Sequence, residues 1–526
     1  MNVENNLIHR VNVGDILKRS MERYPNKTAI VEGDQRYSYT EFNAMVNKAA
    51  NVLLSLGLGR GDKIALLSSN SIEFLQIYFA CAKAGVTIVP INLALVTQEI
   101  NYILNDSKAK LIIAEDTYLD KLPEHSLIPS LKYTIVIQNK ETEAINNNLY
   151  IWNSLWENES DQEVQVEVDD RDLMQCLYTS GTTSNPKGVM SSHVAVYLQT
   201  LGTAFDLKFT ENDISVAMMP LYHTAQLNAL TTPVIIAGGT TIIMKAFEPK
   251  ELLRLIDKER VTQIFGLPMM YRSLMDHPDL SKTDLSSLRL SVYAMTPMPN
   301  NELKRAIETF GCDFTLLFGQ TEMAPVTTVF RPEHQLTKTG AVGTAGVNVD
   351  VSIMDDDGNI LPNGEIGEIV YRSPQTMEGY LNDKDKTKDA FKSGWFHSGD
   401  YGYLDEDKIL WFVDRKKDIV KSGGVNVSSI EVEKVLLQNE GVENAVVVGL
   451  PHRYWIEALT AFIIPKQGVE IDEAMIIKYC KTNLGKFKVP KKVVVVDEFP
   501  LTSTGKIQKH IIREKYKSLF EGVESK

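Results

Sequence analysis

The chain is poor in cysteine. It has four in 526 residues (Cys81, Cys176, Cys312, Cys480), and no two are close enough in sequence to form a metal-ligand pair. This excludes a disulfide-stapled scaffold and a zinc knuckle, and the four read as reduced, structural thiols. Positive charge is also in deficit. The 55 Lys and Arg stand against 68 Asp and Glu, for a net charge of −13, which argues against general nucleic-acid binding through a basic face. No apolar run approaches the roughly 20 residues that span a bilayer. The start, Met1-Asn-Val-Glu-Asn5, lacks the basic-then-apolar pattern of a signal peptide. The expectation is a cytoplasmic protein without a transmembrane segment, with peripheral membrane contact left open. No repeat or low-complexity tract interrupts the chain.

The length predicts three to four domains or subdomains. Helical and strand patterns alternate for most of it. Tyr39–Leu56 carries apolar residues at helical intervals, with capping-box spacing at Ser38 and Glu41 and Gly57 placed to end it. Strands are predicted at 63–68, 86–90 and 109–114, and helices at 72–84 and 97–105. This order implies layered α/β structure with parallel sheets. After about residue 340, short strands separated by Asp/Gly turns predict a β-rich subdomain ending near 414. The run Asp414-Arg-Lys-Lys-Asp418 marks a boundary or a solvated turn, and 418–526 reads as a small α+β domain.

Four segments carry chemistry. Tyr178-Thr-Ser-Gly-Thr-Thr-Ser-Asn-Pro-Lys-Gly-Val-Met190 follows the apolar run Leu173–Leu177. A strand that delivers hydroxyls, glycines and one lysine suits a phosphate chain. The spacing is not that of a Walker A loop, because Pro186 follows Gly181 at the fifth residue and Lys187 precedes its glycine. Phe318-Gly-Gln-Thr-Glu322 ends another apolar run and places a hydroxyl beside a carboxylate, a donor set that suits Mg²⁺ shared with phosphates. Gly394-Trp-Phe-His-Ser-Gly-Asp400, followed by Asp414-Arg415, offers an Asp and an Arg for the vicinal hydroxyls of a ribose. Pro500-Leu-Thr-Ser-Thr-Gly-Lys506 offers a lysine near the C-terminus. Taken singly, each also reads as an ordinary polar turn.

In this order and spacing the four segments resemble the adenylate-forming superfamily: acyl-CoA synthetases, luciferases and peptide-synthetase adenylation domains. The likeness is nearest to fatty acyl-CoA ligases. It implies a large N-terminal adenylation domain (1–414), a hinge (415–417) and a small mobile C-terminal domain (418–526). It implies ATP and Mg²⁺ as cofactors, CoA as co-substrate, and a two-step reaction: a carboxylic acid becomes acyl-AMP with loss of pyrophosphate, and a thiol then takes the acyl group. Thr179, Ser180, Gly181, Thr182, Thr183 and Lys187 would hold the phosphates. Met295, Thr296, Pro297, Phe318, Gly319 and Gln320 would form the adenine side. Thr321 would contact phosphate, Glu322 would bind Mg²⁺, and Asp400 and Arg415 would hold the ribose. Lys506 would stabilise the adenylation transition state, with His223 gating the acyl site and Lys417 as the hinge.

Ala225, Ala229, Met323 and Ala324 are the pocket candidates. They are small or apolar, and the stretch His223–Ala229 holds no acid for an amino group. This favours a medium- or long-chain fatty acid, with an aryl acid as the alternative. Gly423 and Gly424 would line the thiol path, while Trp455, Lys486 and Lys488 would meet the CoA nucleotide unless that basic stretch is only a solvated turn. No carrier domain is expected after residue 526, though a separate carrier protein remains an alternative acceptor. An inactive scaffold that keeps the fold is the remote alternative.

Overall fold

The computed structural model describes residues 3–138, 150–179, 186–294, 298–422, 425–501 and 507–520. The chain divides into two compact units, one made of residues 1–351 and 371–396, the other of 352–370 and 397–526.

The first unit is built on two large sheets. One has nine strands and runs from Thr344–Ala345 through Val326–Phe330, Asp313–Gly319, Leu290–Ala294, Gln263–Gly266, Ile214–Ala217, Thr240–Ile243 and Thr28–Glu32 to Gln35–Ser38. The other has eight strands, with Lys187–Ser192, Leu173–Thr179, Thr87–Pro90 and Lys63–Leu67 in succession near one end. The internal strand pairs of both are mostly parallel, as helical crossovers between strands require. The helix Ile72–Ala84 is buried on nearly every side and touches strands of both sheets. Its Phe74, Tyr78 and Phe79 join Phe42 and Trp152 in one large apolar cluster. The polar side chains it buries are bonded, Gln76 to the Met45 carbonyl at 3.0 Å and Lys83 Nζ to Asn43 and Asn47 at 2.7 and 2.6 Å and to Glu163 at 2.8 Å, as burial of polar and charged groups requires. It stops at Gly85, whose φ of +70° suits a residue without Cβ. The helix Tyr39–Ser55 opens with the expected Ser38–Glu41 capping box.

In the second unit the strand Ile456–Pro465 lies between Val442–His452 and Lys492–Val495, with Val420–Ser422 and Val425–Val427 completing the sheet. Alternate residues sort the two faces. Val447, Leu459, Ala461 and Ile463 pack with Val432 and Leu436 of the helix Ser429–Leu436 and with Ile476 and Cys480 of Glu473–Asn483. Val446, Val448, Leu450 and Phe462 pack with Ile512 of Lys509–Tyr516. The same unit contains the antiparallel pairing of Trp395–Leu404 with Leu410–Arg415 over 400–404 and 410–415. The layered α/β architecture with a β-rich part and an α+β end is the one expected.

The division into units does not fall at 414–418. Residues 397–414 group with the C-terminal stretch, and a physical reason is visible. Asp414, 1% exposed, accepts from Ser429 N at 2.6 Å and Ser429 Oγ at 2.7 Å, capping the helix Ser429–Leu436. Asp418 is buried and accepts from Arg513 at 2.8 Å. The charge run is therefore not simply a solvated turn. No helix among the described residues is long and apolar enough to cross a membrane. All four cysteines are buried free thiols.

Candidate active site

In the first unit, Thr179 and Lys187 are partners across the antiparallel strand pair 173–179 and 187–192. The ends of the hydroxyl-rich loop are thus held at sheet spacing. Ser180, Gly181, Thr182 and Thr183 lie outside the described residues, as do Met295, Thr296 and Pro297.

Phe318 and Gly319 end the strand Asp313–Gly319, and Thr321–Met323 make a single 3₁₀ turn. Gly319 has a steric reason to be glycine: a Cβ there would come within 1.9 Å of the Pro325 carbonyl oxygen. That close approach lets Gln320 N donate to the same oxygen at 3.0 Å, which folds the turn and presents Thr321 and Glu322.

Two side chains that sequence reasoning missed complete this region. Tyr380 donates its hydroxyl to Glu322 Oε1 at 2.9 Å. Lys187 Nζ lies 4.8 Å from the centroid of the same ring. Burial, then the Glu322 charge and hydrogen bond, push the Tyr380 phenol far up, so it stays a neutral donor. Gln375, 2% exposed, donates to the Met323 and Val326 carbonyls at 2.9 and 2.7 Å and fixes the far side of the turn. No local pattern announces either residue, since their partners lie about 50 residues or more away.

His223 is half-buried and its ring packs 4.7 Å from that of Tyr222. The chain then winds through Thr224–Gln226 into a π-helical turn, Leu227–Thr231, a departure that often marks functional helices. Asn228 in this turn is buried and bonded to Thr224, Gln175 and Tyr78. Ala229 and Ala225 pack in one apolar cluster with Leu317 and Val326. Met323 and Ala324 are fully buried nearby in sequence but stand outside that cluster.

In the second unit, Asp400 and Arg415 are direct cross-strand partners, and Arg415 Nε reaches Asp400 Oδ1 at 2.8 Å. The carboxylate is 5% exposed and the guanidinium 48%, so an acceptor and a donor fork share one edge. Inside the strand Trp395–Leu404, Ser398 Oγ accepts from Asp400 N at 3.0 Å; it also donates to Ile369 O at 2.6 Å. Beside them, Lys416 bonds to Asp356 and Glu368 at 2.8 and 3.0 Å. Lys417 is next in the chain.

The stretch expected to meet CoA is not a set of free cations. Lys488 pairs with Glu431 and Lys492 with Glu473. Lys491 Nζ sits 4.3 Å from the Trp455 ring centroid and covers one face of it. Lys486 lies exposed in the 3₁₀ turn Lys486–Lys488. Gly423, Gly424 and Lys506 lie outside the described residues.

The donors fit a hard cation shared with a phosphate chain, not a cation held by protein alone. Glu322 offers a single carboxylate, and no group of three or more His, Cys, Asp or Glu able to hold a metal occurs among the described residues.

Comparison with known proteins agrees with this geometry. Residues 17–381 match the AMP-binding enzyme family and residues 431–506 match the AMP-binding enzyme C-terminal domain. The chain is 33% identical over 492 residues to a feruloyl-CoA synthase from Amycolatopsis sp, covering 94% of this chain and 96% of that one. It is 33% identical over 512 residues to a long-chain-fatty-acid–CoA ligase of Mycobacterium tuberculosis, covering 96% and 98%. The crystal structure of ATP-bound MatB from Rhodopseudomonas palustris superposes with a TM-score of 0.87 at 29% identity, covering 97% of this chain and 100% of that one. The chain belongs to the AMP-binding enzyme family, within the adenylate-forming superfamily that its motifs resemble.

Proposed function

We propose that the protein is an ATP-dependent acid–thiol ligase that converts a carboxylic acid to acyl-AMP, releases pyrophosphate, and passes the acyl group to CoA. The observation that carries this reading is the trio Lys187, Tyr380 and Glu322, a cation and a carboxylate set on one phenol at the end of the phosphate-loop hairpin.

In this reading Thr179 to Lys187 hold the phosphates that leave, and Thr321 contacts the phosphate under attack. Glu322 holds Mg²⁺, which neutralises phosphate charge when bound. Asp400 accepts from the ribose hydroxyls while Arg415 donates to them. Lys506 neutralises charge that builds as the substrate carboxylate meets the α-phosphate, a contact whose loss costs about 3–4 kcal/mol of barrier. Positioning and charge neutralisation supply most of the acceleration in phosphoryl chemistry. Lys417 is the hinge about which the C-terminal part turns between the two steps. Gly423, Gly424, Trp455, Lys486 and Lys488 lie along the CoA path, with Lys491 leaving the Trp455 ring for an incoming adenine.

The acid is an uncharged-tail carboxylate, and we place a medium- or long-chain fatty acid first. Ala225 and Ala229 in an apolar cluster, with no acid between His223 and Ala229, support that choice. The relatives include ligases named for feruloyl and for long-chain fatty substrates, so an aryl acid is the second reading. Pyrophosphate exchange into ATP, run with fatty and aryl acids and Mg²⁺, tests the first step, and thioester formation with free CoA tests the second. Exchange with no acid in the panel would sink the proposal. Exchange without a CoA product would redirect it to a carrier-protein thiol.

A further inference from the structure

Lys187 and Glu322 carry opposite charges and both approach Tyr380, yet no ion pair joins them. The cation meets the ring face, 4.8 Å from its centroid, and the carboxylate meets the hydroxyl at 2.9 Å. Direct pairing would satisfy both charges and turn them away from any ligand. A phenol gives each a partner of a different kind. The hydroxyl orients one carboxylate oxygen and leaves the other without a described donor. The ring face attracts the ammonium without neutralising it.

Tyr380 is itself fixed at both ends. Its backbone pairs with Val189 in the strand Lys187–Ser192. Leu381 N donates to Gly188 O and Glu378 N to Met190 O, both at 2.8 Å. Met377 N donates to the carbonyl of Glu322 at 2.8 Å. Residues 377–381 are thus stitched to the phosphate-loop strand along one side and to the 321–323 turn at the other. Thr387 Oγ1 accepts from Tyr380 N at 2.9 Å and completes the hold. A rigid phenol between two loaded groups is a spacer that sets where both of them point.

We propose that Tyr380 is a positioning residue that holds the Glu322 carboxylate and the Lys187 ammonium apart, its hydroxyl aiming the first and its ring face retaining the second. The inference rests on the functional reading above for the ligands concerned. It makes the two halves of the side chain separable: the hydroxyl serves the metal ligand and the ring serves the pyrophosphate ligand. Tyr380→Phe removes only the hydroxyl. Tyr380→Leu removes the ring as well and lets Lys187 and Glu322 collapse onto each other.

The test measures binding without turnover. Mn²⁺ is titrated by electron paramagnetic resonance against wild type and variants holding α,β-methylene-ATP, and pyrophosphate affinity is measured by calorimetry. Tyr380→Phe is expected to weaken Mn²⁺ binding roughly 10-fold or more, the usual effect of losing a partner that orients a metal ligand, with pyrophosphate affinity unchanged. Tyr380→Leu is expected to weaken both. An unaltered Mn²⁺ affinity in Tyr380→Phe would overturn the proposal, as would equal losses of both affinities in the two variants, which would mark simple packing. Tyr380→Phe keeps the ring, so the test stands even where Tyr380→Leu fails to fold. Wild type that binds neither nucleotide analogue nor pyrophosphate would overturn the functional reading as well. Wild type that binds both, alongside an unaffected Tyr380→Phe, would overturn only the role of Tyr380.

Discussion

His193 is enclosed completely at the start of the helix His193–Asp206, and Val13 N donates to its Nδ1 at 3.2 Å. Burial holds its pKa down to about 4, with the Arg10 charge adding to the effect and Asp172 and Asp15 opposing it. The unfolded chain therefore takes up this proton first as pH falls. The stability that depends on neutral His193 is complete above about pH 6.5 and drains away between there and about pH 4, by roughly 3 kcal/mol in all. Denaturant unfolding at a series of pH values should show that decline, and His193→Gln should flatten it. Asp400 allows a second prediction at this scale. If its carboxylate receives the ribose hydroxyls, wild type should prefer ATP to 2′-deoxy-ATP. Asp400→Asn should raise the KM for ATP roughly 10-fold or more, as expected for a lost hydrogen bond to a charged group, and erase most of that preference. Initial rates with the two nucleotides decide it. The residues that the sequence puts forward for the site are those whose neighbours stand beside them in the chain. Thr321 and Glu322 share one short string, whereas Tyr380 has no such local signal, because its hydroxyl answers to a residue 58 positions earlier.

Among elements, the helix Ser429–Leu436 shows how much polar wiring lies beneath an ordinary amphipathic pattern. Asp414 caps its first turn. One turn further, Glu433 is nearly enclosed and pairs with Lys509 Nζ at 2.8 Å, while Val447 N donates to the same carboxylate at 2.7 Å. Burial raises the Glu433 pKa and Lys509 opposes the rise. Lys509 also donates to Ser429 Oγ at 2.6 Å, so the helices 429–436 and 509–516 are tied by charge from opposite sides of a sheet edge. Lys509→Met would strand a buried carboxylate and should destabilise the second unit by about 3 kcal/mol. Hydrogen exchange should then quicken in the strand Val442–His452, and more at pH 8 than at pH 5, because protonation of Glu433 relieves the strain at the lower pH. Periodicity placed the elements it named between residues 39 and 115 to within a few residues, the helices Tyr39–Ser55, Ile72–Ala84 and Thr97–Ser107 among them, and it named few of the strands and helices between there and about residue 340. It could not see the π-helical turn at 227–231, because the winding there depends on buried Asn228 bonding to three partners.

For the whole molecule, the order of motifs was more informative than any one of them. Four weak strings in a fixed succession identified a family that the comparisons then matched over most of the chain. Compactness was less legible. The charged run 414–418 reads as a boundary or a solvated turn, but Asp414 and Asp418 are consumed by contacts of the second unit, and composition does not distinguish a solvated charge from a bonded one. Separation of the two chemical steps supplies the remaining prediction. Lys506→Ala should lower acid-dependent pyrophosphate exchange by two to three decades and largely spare thioester formation from supplied acyl-adenylate and CoA. Equal loss of both activities would argue against alternation about Lys417.

The pairing of Thr179 with Lys187 has a consequence in time. Closing a loop costs conformational entropy whenever its ends must be brought together. Here the ends meet when the eight-stranded sheet assembles, so that cost falls once, at the birth of the folded molecule. In the function proposed above, an enzyme that had to bring Thr179 and Lys187 together around each arriving nucleotide would meet the cost at every turnover.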